Sequence, residues 1–150
     1  MQAPAVLKGP GVYLGWVVEV HEWALAEAVV LSLSQYLREV GWGRASRVIV
    51  SLGELQAVDR EVFEFALKEL ANLYGVEVGS FELVEEEASF ECRSCGFRWR
   101  LRDLDLPDEV RESIHFLPEA AYAYIRCPRC GSADFVLVSG RGVKLEGVEP

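Results

Sequence analysis

Residues 92–131 read CRSCGFRWRLRDLDLPDEVRESIHFLPEAAYAYIRCPRCG, and this stretch begins and ends with the same motif, Cys-x-x-Cys-Gly. Each motif lets two thiolates reach one ion, and its glycine permits the tight turn that points backbone N–H groups at sulfur. Four soft thiolates favour a tetrahedral zinc ion. A disulfide pair and rubredoxin-like iron remain the alternatives. We therefore predict a zinc site formed by Cys92, Cys95, Cys127 and Cys130.

The predicted zinc site should be structural, because four protein ligands leave no open position where water could be activated. No base-activated nucleophile is visible either, so we expect no enzyme activity. Zinc ribbons often bind nucleic acid, and Arg98, Trp99 and Arg100 are suitable residues for it. Seven arginines and six acidic residues nevertheless leave residues 92–130 almost neutral, and the whole chain has a net charge of −9. Since an acidic protein repels phosphate, a zinc-ribbon nucleic-acid-binding or adaptor protein is the alternative function and not the favoured one.

Hydrophobic periodicity predicts a mixture of helices and strands around one core, an α+β fold. Asp59 is suited to cap the second helix, and Gly41 and Gly75 are suited to follow helix ends. The predicted elements are a helix at residues 21–40, a strand at 47–52, a helix at 61–74, an alternating segment from Phe81, and strands at 135–138 and 143–148.

Composition and hydropathy predict a cytoplasmic protein. No apolar run approaches the ~20 residues that span a bilayer, so no membrane association is expected. The first twenty residues are interrupted by glycine and proline, so we expect no signal peptide. In a reducing cytoplasm, four cysteines are better suited to a metal than to disulfides. A single asparagine, Asn72, suggests a thermophilic source.

Several motifs in order resemble the hydrogenase nickel incorporation proteins of the HypA family. Those chains open with Met-His-Glu followed by a helix of similar composition, and the resemblance covers roughly residues 21–148. The matching segments here are His21-Glu22-Trp23-Ala24-Leu25-Ala26, Val50-Ser51-Leu52-Gly53-Glu54-Leu55, Phe81-Glu82-Leu83-Val84, the Cys-Pro-Arg-Cys-Gly-Ser that starts at Cys127, and the final Gly-Arg-Gly at residues 140–142.

The resemblance implies two helices packed on a three-stranded sheet, with an inserted zinc-ribbon module before the last strand. Residues 20–86 and 141–150 would form a nickel-binding α/β domain, and residues 87–140 a zinc-binding domain. Residues 143–148 would return to pair in the first sheet. Residues 1–19 would be an extra N-terminal segment that the family does not have.

The resemblance also implies a function: reversible binding of nickel and its delivery to the large subunit of [NiFe]-hydrogenase, together with a HypB-type GTPase. Nickel would be labile and zinc permanent. Nickel(II) favours square-planar nitrogen ligands. The implied ligands are the imidazole of His21, the chain-start amine or amide of Val20, His115 from the long insertion, and an oxygen of Glu22. Whether hydrogenase or urease receives the nickel stays open, as does the oligomeric state, for which a homodimer is one option.

The chain departs from the family at its start. The family histidine follows the initiating methionine, whereas His21 follows Val20 and nineteen further residues. We therefore expect Val20 to mark the native start, read as methionine from a valine codon. A genuine leader that masks or replaces the amine ligand is the alternative.

Overall fold

A computed structural model describes the backbone of residues 10–150 and the side chains of residues 21–150. The first nine residues of the predicted N-terminal segment lie outside the described part. The elements are α1 (Pro10–Val40), β1 (Ala45–Gly53), α2 (Arg60–Leu73), β2 (Val78–Glu86), β3 (Ser89–Cys92), β4 (Arg98–Arg100), α3 (Asp108–Phe116), α4 (Ala121–Tyr124), β5 (Phe135–Ser139) and β6 (Val143–Glu149), with short 3-10 turns at Leu101–Asp103 and Pro118–Ala120.

The first helix begins at Pro10 and not at His21, where the sequence pattern placed its start. A proline suits the first helical turn because its missing N–H would have no partner there. His21 therefore lies inside α1. The helix ends before Gly41, which adopts φ 76° and so takes the left-handed position that commonly follows a helix.

The two long helices pack against each other along their apolar stripes. Helix α2 starts as expected at the N-cap Asp59, whose carboxylate accepts the N–H groups of Glu61 and Val62 at 3.0 and 3.1 Å. Its apolar residues recur at helical spacing and are therefore buried on one face. The buried residues are Ala26, Val29, Val30, Leu33 and Leu37 on α1, and Phe63, Ala66, Leu67, Leu70 and Ala71 on α2.

The first sheet has the strand order β2-β1-β6. The central strand β1 is the most buried of the three, with Val48 and Val50 fully inaccessible. The last strand of the chain, β6, lies beside β1, so the prediction that it returns to this sheet is confirmed. The predicted α+β fold, with two helices on a three-stranded sheet and an inserted cysteine module, is confirmed as well.

The second sheet has the order β4-β3-β5, and both pairings are antiparallel. Its core is aromatic: the rings of Phe90 and Trp99 are stacked at 5.6 Å, and Phe135 meets Phe90 edge-on at 5.5 Å. The insertion between the cysteine motifs covers this core with Ile114 and Ile125, both buried. The module therefore has a hydrophobic core of its own besides the cysteines.

The chain divides into two compact units. The first contains the described residues up to Val50 together with residues 58–83 and 145–150, and the second contains residues 51–57 and 84–144. Within the described part of the chain, no helix has both the length and the apolar character needed to cross a bilayer.

Candidate metal centres

The two Cys-x-x-Cys-Gly motifs adopt the same turn. In the first, the N–H of Gly96 donates to the carbonyl of Cys92 at 2.9 Å, and in the second, Gly131 donates to Cys127 at 2.9 Å. The glycines have φ 78° and 76°, values that side-chain-bearing residues rarely adopt. The glycine requirement read from the sequence is therefore met in both motifs.

The structure brings the four predicted thiols together, with all four sulfur atoms within 4.8 Å of one another. The sulfurs of Cys92 and Cys130 are 3.6 Å apart, as are those of Cys95 and Cys127. These distances are far above the ~2.05 Å of a disulfide. A tetrahedron with zinc–sulfur bonds of ~2.3 Å has edges of about 3.8 Å. The donor set and its dimensions are therefore those of a structural zinc site.

Backbone N–H groups prepare the cluster for a cation. Burial raises the pKa of the Cys92 thiol, but the N–H groups of Cys95 and Ser94 and the neighbouring thiols outweigh it and lower that pKa to about 6. The N–H of Ser132 lowers the pKa of Cys130, yet the Cys92 sulfur and burial raise it to about 12. The metal-free cluster thus shares its protons among the sulfurs, and a bound cation would displace them.

The predicted nickel ligands of the first unit lie on α1. His21 is exposed, whereas the adjacent Glu22 is fully buried, at 0% accessibility. One carboxylate oxygen of Glu22 accepts the backbone N–H of Asp59, at the start of α2, and the other oxygen has no hydrogen-bond partner among the described residues. A buried carboxylate is costly unless it is compensated. Its free oxygen is therefore suited to a cation.

Asp59 is the residue that the sequence did not connect with this site. Its capping role was predicted, but its backbone contact with Glu22 joins positions 37 residues apart in the chain. The only sequence feature at Asp59 was its capping motif, and a capping motif does not indicate which other helix lies beside it.

Val20 and His21 lie inside α1, where helical geometry uses each backbone N–H in a bond to a carbonyl four residues earlier. The predicted chelate of a chain-start amine or amide with the imidazole is therefore not formed in this helix. That part of the site stays a prediction, and it requires a chain that starts at Val20.

His115 lies in the last turn of α3, in the second unit, and is half-buried. Its Nδ1 atom is 2.7 Å from the carbonyl oxygen of Arg111. Since a carbonyl can only accept, Nδ1 is the donor in this contact, and Nε2 is the ring nitrogen through which the neutral imidazole could bind a metal. His21 and Glu22 belong to the first unit and His115 to the second.

A protein-family model described as hydrogenase/urease nickel incorporation, metallochaperone, hypA matches residues 20–150. The chain belongs to the HypA family. HypA maturation factors from two archaea, Pyrococcus horikoshii and Thermococcus kodakarensis, are each 44% identical to it over 131 residues, which are 86% of this chain and 94% of theirs. These relatives agree with the predicted thermophilic source.

The solution structure of the nickel metallochaperone HypA from Helicobacter pylori has the same fold. It superimposes with a TM-score of 0.59 over 85% of this chain and 95% of that one, at 19% sequence identity. The resemblance to HypA read from the motifs is thus confirmed, and with it membership of a nickel metallochaperone family for hydrogenase maturation.

Proposed function

We propose that this protein binds Ni(II) reversibly and delivers it to the large subunit of a [NiFe]-hydrogenase in the cytoplasm, without catalysing a reaction itself. A HypB-type GTPase would assist the transfer. The observation that carries the proposal is the match of the HypA family model to residues 20–150. A carrier must hold its cargo loosely, and the zinc-type cluster is closed by four thiolates. The cargo therefore needs a different site.

The proposed nickel site consists of His21, the amine or amide of Val20, His115 and an oxygen of Glu22. Three observations support it: the imidazole of His21 is exposed, the Nδ1 of His115 is used by the Arg111 carbonyl so that Nε2 is the nitrogen left for a metal, and Glu22 has a buried carboxylate oxygen without a partner among the described residues. Nitrogen donors of this kind suit square-planar Ni(II).

We further propose that the nickel-binding chain starts at Val20 and that residues 1–19 are additional. Residues 20–86 and 141–150 would then be the nickel-binding domain, and residues 87–140 the zinc-binding domain. The family match that begins at residue 20 supports this start. Intact-mass spectrometry of the natively expressed protein tests it, and a species that retains residues 1–19 would end the proposal.

Nickel titration followed by absorption spectroscopy tests the function. Three proteins are compared: the full chain, a form in which Val20 is replaced by an initiating methionine, and the His21→Ala variant of that form. We expect the restarted form to bind nickel at least tenfold more tightly than the other two, with zinc content equal in all three. Gln35→Ala, on the exposed part of α1, is the matched control. Unchanged nickel uptake by His21→Ala would refute the proposed role.

The Glu22→Gln variant tests whether Glu22 is a nickel ligand or has only a structural role. The amide retains an oxygen that accepts the Asp59 N–H but removes the negative charge. If the carboxylate contacts the metal, nickel affinity falls while the melting temperature changes little. Equal nickel affinity in Glu22→Gln and in the exposed control Glu39→Gln would remove Glu22 from the site.

A further inference from the structure

The four cysteines of the metal cluster differ in exposure. Cys92 and Cys127, which open the two Cys-x-x-Cys-Gly motifs, are buried in the core of the second unit, whereas Cys95 and Cys130 are exposed. Reactive cysteines are reachable from solvent, and cysteines buried in a core are inert. Within this cluster, a reagent in solution therefore reaches the second cysteine of each motif first.

Backbone hydrogen bonds distinguish the same two pairs of sulfurs. Among the described residues, each buried sulfur accepts two backbone N–H groups and each exposed sulfur accepts one. The donors are Ser94 and Cys95 to Cys92, Arg129 and Cys130 to Cys127, Phe97 to Cys95, and Ser132 to Cys130. Hydrogen bonds stabilise the negative charge of a thiolate and so lower its nucleophilicity. The exposed sulfurs are therefore the more nucleophilic ones as well.

Each exposed sulfur lies beside a buried one. The Cys130 sulfur is 3.6 Å from that of Cys92, and the Cys95 sulfur is 3.6 Å from that of Cys127. Both pairs join one motif to the other. A disulfide is ~2.05 Å long, so the two sulfurs of a pair need to approach by only about 1.5 Å to be bonded. An oxidised sulfur at position 95 or 130 consequently has a thiolate next to it.

We propose that this cluster is an oxidation site for hydroperoxides, at which Cys95 and Cys130 react first and are then joined to Cys127 and Cys92 as disulfides. The exposed thiolate attacks the terminal oxygen of the hydroperoxide, the O–O bond breaks, and hydroxide or alkoxide leaves. The buried thiolate then attacks the resulting sulfenic acid at sulfur, the S–O bond breaks, and hydroxide leaves. Each disulfide passes two electrons from sulfur to one hydroperoxide.

Oxidation at this site changes the stability of the second unit. The thiolate is the form of cysteine that binds a metal, so a sulfur in a disulfide is lost as a zinc ligand. The second unit then loses the contribution of metal binding to its folding. Thiols reduce disulfides by exchange, so the change is reversible. This inference does not depend on the metal that the protein delivers.

Dimedone, which reacts with sulfenic acids, locates the first step. The zinc-loaded full chain is treated briefly with hydrogen peroxide and dimedone, and the adducts are mapped by mass spectrometry. We expect adducts at Cys95 and Cys130 to exceed those at Cys92 and Cys127 at least tenfold. Without dimedone, we expect disulfides between positions 92 and 130 and between 95 and 127 to form in step with zinc release. Dithiothreitol and added zinc should restore the circular dichroism spectrum.

A double variant, Cys95→His with Cys130→His, tests the role of the exposed thiolates. It removes both of them but retains four zinc ligands, because imidazole nitrogen also binds structural zinc. We expect its zinc-loaded form to release zinc to hydrogen peroxide at least tenfold more slowly than the unmodified chain. Tyr124→His is the matched control, since it adds an imidazole at a 53% accessible position and keeps all four sulfurs. This control should release zinc as the unmodified chain does.

Three results would overturn the proposal. The first is a dimedone map in which Cys92 or Cys127 is labelled before Cys95 and Cys130. The second is a set of early products that contains disulfides within one motif, or sulfonic acids without any disulfide. The third is zinc release from the zinc-loaded double variant as fast as from the unmodified chain. If the double variant binds no zinc, the order of labelling in the unmodified chain decides.

Discussion

Replacing Cys95 with serine should release zinc and unfold the second unit while α1 and α2 stay folded. Serine has nearly the size of cysteine but lacks the soft thiolate that zinc prefers. The Cys95 sulfur lies 3.6 Å from that of Cys127, inside the four-sulfur cluster. Its loss opens the cluster to water and leaves three ligands.

The expected size of the effect follows from the size of the unit. Residues 51–57 and 84–144 make up about 70 residues, and a core of that size rarely supplies more than ~3–5 kcal/mol. Binding of a structural zinc ion contributes ~10–16 kcal/mol. The aromatic core around Phe90 and Trp99 is therefore too small to replace the metal.

Zinc analysis and hydrogen–deuterium exchange measure the outcome. We expect Cys95→Ser to lose its zinc and the amides of β3, β4 and β5 to lose protection, while those of α1 and α2 keep it. Ser94→Ala is the control, because this exposed neighbour contributes no sulfur. Retained protection of β3–β5 in the zinc-free variant would refute the reasoning.

Two further predictions concern the second unit. A Cβ on Gly140 would lie 2.3 Å from the Cα of Ala88, and the residue has φ +99°, whereas Gly142 has φ +91° and open space around it. We expect Gly140→Ala to cost about 2–6 kcal/mol and Gly142→Ala about 1–3 kcal/mol in urea unfolding, and equal costs would contradict the clash. The second prediction concerns Glu86. Lys144 and the N–H of Gly140 donate hydrogen bonds to its carboxylate, and these lower the pKa of Glu86 below 4.5 although burial raises it. A carboxyl group whose pKa is lower in the folded state than in the unfolded state stabilises the fold at pH values above its unfolded pKa. This stabilisation is lost as the pH falls through the folded pKa. Below pH ~4.5 the free energy of unfolding should therefore fall less steeply with pH in Glu86→Gln than in the unmodified chain. Parallel plots of unfolding free energy against pH for the two proteins would contradict this.

Motifs with a fixed local geometry could be predicted from the sequence. The Cys-x-x-Cys-Gly spacing specified both turns and the ligand set, because two thiolates three residues apart can share an ion in only a few backbone arrangements. Helix α2 was equally predictable, since Asp59 caps it and its apolar spacing selects one buried face. The start of α1 could not be predicted, because glycines at positions 11 and 15 made the residues before His21 look non-helical.

The sequence by itself determined the chemistry: which residues can bind a metal, how the helices and strands alternate, and which family the motifs resemble. Only the tertiary structure decided which distant groups meet. It buried Glu22 beside the backbone of Asp59 and oriented His115 through Arg111. The physical reason is that spacing rules act over a few residues, whereas burial, exposure and edge position depend on how remote segments pack.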